Sequence, residues 1–283
     1  MLEIIDFHTH TFPDYLASRA VDKLKKSANT LNYLNGTSQE LSQSNIDSHI
    51  YKSVVLPVAT RQNQSGEINA KNAKSNCFSD NTGLIYFAAI HPDDSSIMAS
   101  LSNLKAAGFK GIKLHPVFQD AYIDEKSYLE LIDAASSLDL ITVIHAGYDI
   151  SYPGLDYAAV PYILNMLKQV KPQKVVLAHM GGWNEWDMVE SDLCGMDVYF
   201  DTSFSLTPIR PLDLNKPNSS NIQLTNEQFL RIVKKHGDDK ILFGSDSPWS
   251  NQAESIECIK NSGLDSTAVD KILSLNAKRL LGI

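Results

Sequence analysis

Two histidines one residue apart, His8 and His10, end the apolar run LEIIDFHTHTF. In a strand alternate side chains share a face, so the two imidazoles project together while Thr9 faces away. A pair of imidazoles just beyond an apolar strand can grip one metal ion. Further polar residues close other apolar runs: His91 in AIHP, Lys113 and His115 in IKLHP, His145 in VIHAG, His179 in LAHMGG and Asp246 in FGSDSPW. Only His49 and His236 fall elsewhere, in lead-ins from a helix to the next strand. Imidazole and carboxylate together suit Zn²⁺, Mn²⁺ or Fe²⁺. His8, His10, His145 and Asp246 make a set of three nitrogens and one oxygen with room for water, and an open position is what a catalytic ion needs.

The elements that must position these groups are legible as alternating runs. After residues 2–7 come SVVLPV (53–58), GLIYFAAI (83–90), FKGIKL (109–114), DLITVIHA (139–146), KVVLAHM (174–180), DVYFDTS (197–203) and KILFGSD (240–246). These near-continuous hydrophobic runs suit parallel strands covered on both sides. Between them lie helical patterns. DSSIMASLSNLKAAGF has a cap candidate at Asp94 or Ser95, apolar positions at Ile97, Leu101 and Leu104, and a stop at Gly108. DEKSYLELIDAASSLDL places Leu129, Ile132 and Ala135 on one face, and TNEQFLRIVKKHGDD runs from Thr225 to Gly237. A final amphipathic helix closes the chain. Eight strand–helix repeats imply an α/β fold of the (β/α)8 barrel type, one domain over 1–283, with long loops at 11–50 and 203–224. The first loop is expected to hold two helices and the second to border the site. No GxGxxG and no GxxxxGK[ST] occurs, which counts against a doubly wound nucleotide-binding sheet.

Composition narrows the partners. Lys and Arg number 25 against 33 Asp and Glu, a net charge of −8, and an acidic chain does not suit nucleic acid. The three cysteines, Cys77, Cys194 and Cys258, form no CxxC, so neither a disulfide framework nor a thiolate metal site is signalled. No leader pattern and no apolar run near 18 residues occurs, so a cytoplasmic protein without a membrane span is expected. A small-molecule substrate is the expected partner, and a homodimer is left open.

In DFHTH, GIKLHP, IHAG, AHMGG, GSDSPW and the closing NAKRLLGI, the chain resembles the amidohydrolase superfamily, in its branch with aminocarboxymuconate-semialdehyde decarboxylase-like enzymes. The resemblance implies a metal-dependent barrel in which His8, His10, His145 and Asp246 hold one divalent ion per chain, zinc first, with manganese or iron as alternatives. It gives His179 the task of polarising substrate or bound water, and Asp246 the proton. Some relatives carry a carboxylated lysine on strand four bridging two metals, with His145 and His179 on the second. By spacing, Lys113 points one layer below the rim that His115 occupies, so an ion pair with Asp6 or Asp201 is expected instead.

A metal lowers the pKa of bound water to about 7, which supports hydrolysis of an amide, ester or lactone as the first reading. Non-oxidative decarboxylation on the same site is the alternative, followed by a metal-free lactonase or a non-catalytic binding barrel. Arg61 and Arg210 are candidates to clamp a carboxylate. His91 and His115 are weaker candidates for substrate contact, and Phe12, Tyr148, Trp183 and Trp249 follow strand ends where they can wall a pocket.

Overall fold

The computed structural model describes residues 2–75, 83–216 and 222–283. Cys77 and part of the second long loop lie outside them. Eight parallel strands follow one another around a closed barrel. They are β1 (Ile4–Thr9), β2 (Ile50–Val55), β3 in two pieces (Leu84–Tyr86 and Ala88–Ala89), β4 (Gly111–Leu114), β5 (Ile141–Ile144), β6 (Val175–Leu177), β7 (Tyr199–Asp201) and β8 (Ile241–Leu242). The run 83–90 is split at Phe87: Leu84 pairs with Ser53 of β2, whereas Ala88 pairs with Ile112 of β4. Closure comes from backbone bonds between the first and last strands, Phe7 N–H to Phe243 O at 2.7 Å and Asp246 N–H to His8 O at 2.8 Å. Among the described residues no edge strand is left, so the backbone groups of the ladder can be paired.

Ile5, Phe7, Val54, Phe87, Val143, Val176 and Leu242 form one buried cluster with Ala277, Leu280 and Leu281 of the last helix. Strands on opposite sides of a barrel meet only through its interior, so these side chains fill the barrel and the C-terminal helix packs against that filling. A larger apolar layer joins the strands to the surrounding helices.

The helical expectations hold in most places. The first long loop carries α1 (Asp14–Ala28) and α2 (Ser38–Asp47), the latter capped by the Thr37 hydroxyl. A helix at Asn226–His236 starts on Thr225, whose hydroxyl accepts from Gln228 N–H, and stops at Gly237. In Lys126–Ser137 Ile132 and Ala135 are buried together with Tyr128 and Leu131, while Leu129 is only partly buried. One cap is corrected. The helix at Ile97–Ala106 begins after Ser96, which makes no side-chain cap. Asp94 is engaged elsewhere, accepting from the backbone N–H groups of Asn63 and His91.

Candidate metal centre

The strand ends deliver the polar residues to one rim. His10 Nδ1 lies 2.8 Å from the Leu56 carbonyl oxygen. A carbonyl only accepts, so this nitrogen carries the ring proton and Nε2 is bare. His8 Nδ1 lies 2.8 Å from Asp201 Oδ2, which fixes its tautomer in the same sense. The two bare Nε2 atoms stand 3.2 Å apart, and Asp246 Oδ1 lies 3.5 Å from the first and 3.2 Å from the second. Electron-rich atoms facing one another without a proton repel unless a cation stands among them. Ligands of a tetrahedral ion with bonds of about 2.0 Å are roughly 3.3 Å apart. The donor set therefore fits a divalent ion held by His8, His10 and Asp246.

Charge in the surroundings favours the same state. Burial opposes ionisation of Asp246, and a hydrogen bond from His10 with positive charge at His8, His10 and His179 outweighs it; where those rings are neutral, a cation among them would take that part and hold the carboxyl below the usual range. Asp201 behaves likewise against His8, His179 and the Ser203 hydroxyl. Burial, with Lys113 nearby, pushes His8 down to about 4, so its ring is neutral at pH 7. Both His179 and Asp246 adopt left-handed backbone, with φ of 58° and 66°, a strained conformation typical of functional turns.

His145, expected as the fourth ligand, is not among the atoms that gather within 4.8 Å around His8, His10 and Asp246. Its Nδ1 faces His179 Nε2 at 3.0 Å. Its ring stacks on His115 with centroids 4.1 Å apart, and its Nε2 lies 3.2 Å from the Tyr148 carbonyl oxygen. His179 Nδ1 points at Ser203 O at 3.0 Å, and its ring centroid is 5.3 Å from that of His8. Lys113 is also corrected. It is buried, with Nζ 3.4 Å from His8 Nε2, and no ion pair joins it to Asp6 or Asp201. Asp6 instead accepts from Ser245 and Gln252, and Asp201 is taken by His8. Burial drives the Lys113 ammonium down to about 8.

A cavity of about 790 Å³ opens onto His8, His10, Lys113, His145, His179 and Asp246. Phe12, His115, Tyr148, Trp183 and Trp249 border it as expected, joined by Phe118 and Phe204. Arg61 lines it too. Arg210 does not: its guanidinium pairs with Glu254 at 3.2 Å and sits over the Tyr33 ring. His91 is likewise outside, its Nδ1 accepting from Asp93 N–H at 3.2 Å as a strand–loop cap. Gly147 is where a glycine is needed: its φ is +83°, and a Cβ there would lie 2.3 Å from Trp183 N.

Sequence reasoning undervalued three residues. Asp201 anchors His8 and accepts the His179 backbone N–H at 3.1 Å, and its only signal was a carboxylate ending strand seven. Gln119 donates to Ala59 O and Ile90 O and accepts from His115 N–H, tying three strand ends together. Asp149 lies 3.4 Å from His115 Nε2.

Comparisons with known proteins follow this geometry. A family model described as amidohydrolase matches residues 78–283. No curated protein matches the sequence. Among solved structures, 5-carboxyvanillate decarboxylase from Sphingomonas paucimobilis is similar with a TM-score of 0.71 at 12% identity, covering 100% of both chains. A dihydroxybenzoic acid decarboxylase from Polaromonas sp., with bound manganese and the inhibitor 2-nitroresorcinol, gives 0.69 at 14%, covering 100% of this chain and 97% of the other. A probable 2-pyrone-4,6-dicarboxylic acid hydrolase from Acinetobacter baumannii, with citric acid bound, gives 0.66 at 17%, covering 99% and 100%. At such identities the likeness establishes the (β/α)8 barrel.

Proposed function

The chain belongs to the amidohydrolase family, and on that premise we propose that this metal-dependent enzyme removes carbon dioxide from a small aromatic or unsaturated carboxylic acid. The observation that carries the metal chemistry is the convergence of His8 Nε2, His10 Nε2 and Asp246 Oδ1 within 3.5 Å of one another. The choice of bond rests on the similar folds. Two of the three described above are decarboxylases, one with manganese, and this puts carbon–carbon cleavage ahead of the hydrolysis that the sequence motifs placed first.

A divalent ion held by His8, His10 and Asp246 would supply positive charge that binds and polarises a carboxylate of the substrate. The chain's own residues do the rest. Phe118, Trp183, Phe204 and Trp249 give a flat ring apolar walls and keep water from it. Asp246, ionised at neutral pH, takes a proton from a substrate hydroxyl and returns it to the ring carbon. The carbon–carbon pair stays on that carbon, carbon dioxide leaves, and one proton is taken up. His179, its Nδ1–H fixed on Ser203 O and its Nε2 facing His145 Nδ1 at 3.0 Å, stands beside His8 as a rigid part of the site wall. Arg61 at the cavity wall fits a second carboxylate.

The test is a panel of ortho-hydroxybenzoates labelled with ¹³C in the carboxyl group, run beside 2-pyrone lactones in ¹⁸O water with manganese-loaded protein. Labelled carbon dioxide supports the reading. Oxygen incorporation into a lactone product without carbon dioxide would overturn it in favour of hydrolysis. Turnover that survives complete metal removal would return the metal-free lactonase.

A further inference from the structure

The helix α1 turns toward the cavity a face that the reaction above does not use. Leu16, Ala20 and Leu24 border the cavity, and so do Arg19 and Lys23. These positions recur every three or four residues, so they share one side of the helix and follow its axis for about 12 Å. The buried residues of α1 are a neighbouring stripe, Ala17, Val21 and Ala28. Leu16 is 37% exposed although it borders the cavity. An apolar side chain left wet on a cavity wall is surface that a ligand can cover.

The charges on this face are unspent. Arg19 and Lys23 are exposed and meet no carboxylate among the described residues. The acidic residues bordering the cavity are engaged elsewhere. Glu67 pairs with Lys71 at 3.0 Å, Asp14 sits in the first turn of α1 where it answers the helix dipole, and Asp149 and Asp246 lie among the histidines. Like charges four residues apart weaken a helix slightly, so the pair serves nothing local. In a chain of net charge −8, two unpaired cations on a cavity wall draw an anion to it. The cavity is also larger than a simple hydroxybenzoate needs. Its volume of about 790 Å³ lies within the roughly 300–1,000 Å³ that takes drug-sized ligands, and an acid of about ten non-hydrogen atoms fills only part of it.

We propose that the substrate is an extended acid with a second anionic group, a carboxylate or a phosphate, at its far end. An apolar segment lies along Leu16, Ala20 and Leu24, and Arg19 and Lys23 bind the distal anion. This rests on the reading above, in which the reacting carboxylate sits at His8, His10 and Asp246. The planar fork of Arg19 suits two oxygens of the anion at once, and Lys23 adds a point charge.

Binding of unreactive probes tests this without turnover, so the outcome is separable from the choice between decarboxylation and hydrolysis. The probes are alkyl hydroxamates of increasing chain length that end in a carboxylate, a phosphonate or a methyl group. Each is titrated into manganese-loaded and into metal-free full-length protein. Tryptophan fluorescence reports binding, since Trp183 and Trp249 border the cavity. At a length that spans the cavity, wild type is expected to hold an anionic end about tenfold or more tighter than the methyl end. The preference belongs to α1, so it is expected in both metal states, and it narrows as salt is raised. In the double variant Arg19→Glu, Lys23→Glu the preference should vanish or invert, while affinity for the methyl-ended probe stays within about twofold of wild type. The carboxylate and phosphonate arms show which anion is preferred, and circular dichroism checks the fold. A preference below about twofold at every length overturns the proposal, as does one that the charge-reversed protein keeps, or binding by none of the probes.

Discussion

Replacing Asp201 by asparagine tests the tautomer argument on which the first metal centre stands. Asp201 Oδ1 accepts the backbone N–H groups of His179 and Ser203, both at 3.1 Å, while Oδ2 meets His8 Nδ1 at 2.8 Å. In Asp201→Asn the amide oxygen keeps the two backbone donors, so the NH₂ group takes the place of Oδ2 and points at His8. Two donors cannot face each other, so the His8 proton moves to Nε2 and removes the lone pair aimed at the ion. Loss of such a partner behind a ligating histidine costs about 10- to 100-fold in metal affinity, or about 1.4–2.8 kcal/mol. The hydrogen bonds of the fold are nearly conserved, so thermal stability of the metal-free protein should change little. Competition with a chromophoric chelator measures the metal dissociation constant, and a thermal melt without metal reports the fold. An affinity within about twofold of wild type in a folded Asp201→Asn protein would refute the claim that Asp201 sets the His8 tautomer.

Three further outcomes follow from the same contacts. His8 and His236 are both held down to about 4 chiefly by burial, against 6.5 when unfolded. The unfolded chain therefore binds more protons between those values, and stability of the metal-free protein falls as pH drops through that window. Each residue contributes up to about 3 kcal/mol, and urea midpoints that stay flat from neutral pH to the acid end would contradict this. Arg210→Ala should leave KM for any carboxylate substrate within about twofold, because Arg210 is spent on Glu254 and Tyr33. Arg61→Ala should raise KM for a dicarboxylate about tenfold, and steady-state kinetics separates the two. Gln119→Leu strands Ala59 O, Ile90 O, His115 N–H and the Tyr128 hydroxyl. A loss of roughly 3 kcal/mol or more is expected in chemical denaturation, and a change under 1 kcal/mol would show that the rim relaxes or admits water.

The strand–helix alternation and the rim on which the histidines gather are properties of the sequence alone. Residue alternation along β1 and the position of each polar residue at the end of an apolar run are local facts, and parallel strands in a barrel turn the same end to the same side. His8, His10 and Asp246 were legible for that reason. What each ring nitrogen does was not, because it is set by partners distant in the chain: the tautomer of His8 depends on Asp201, 193 residues away. Arg210 and Arg61 look alike as loop arginines, and only the packed structure brings Glu254 to one and leaves the other on the cavity. His145 ends its strand as the motif requires, yet the His179 ring that its Nδ1 meets lies 34 residues further along the chain. Periodicity fixes which face of an element a side chain takes. Hydrogen-bond partners and ligand sets are meetings between elements, and only tertiary structure makes them.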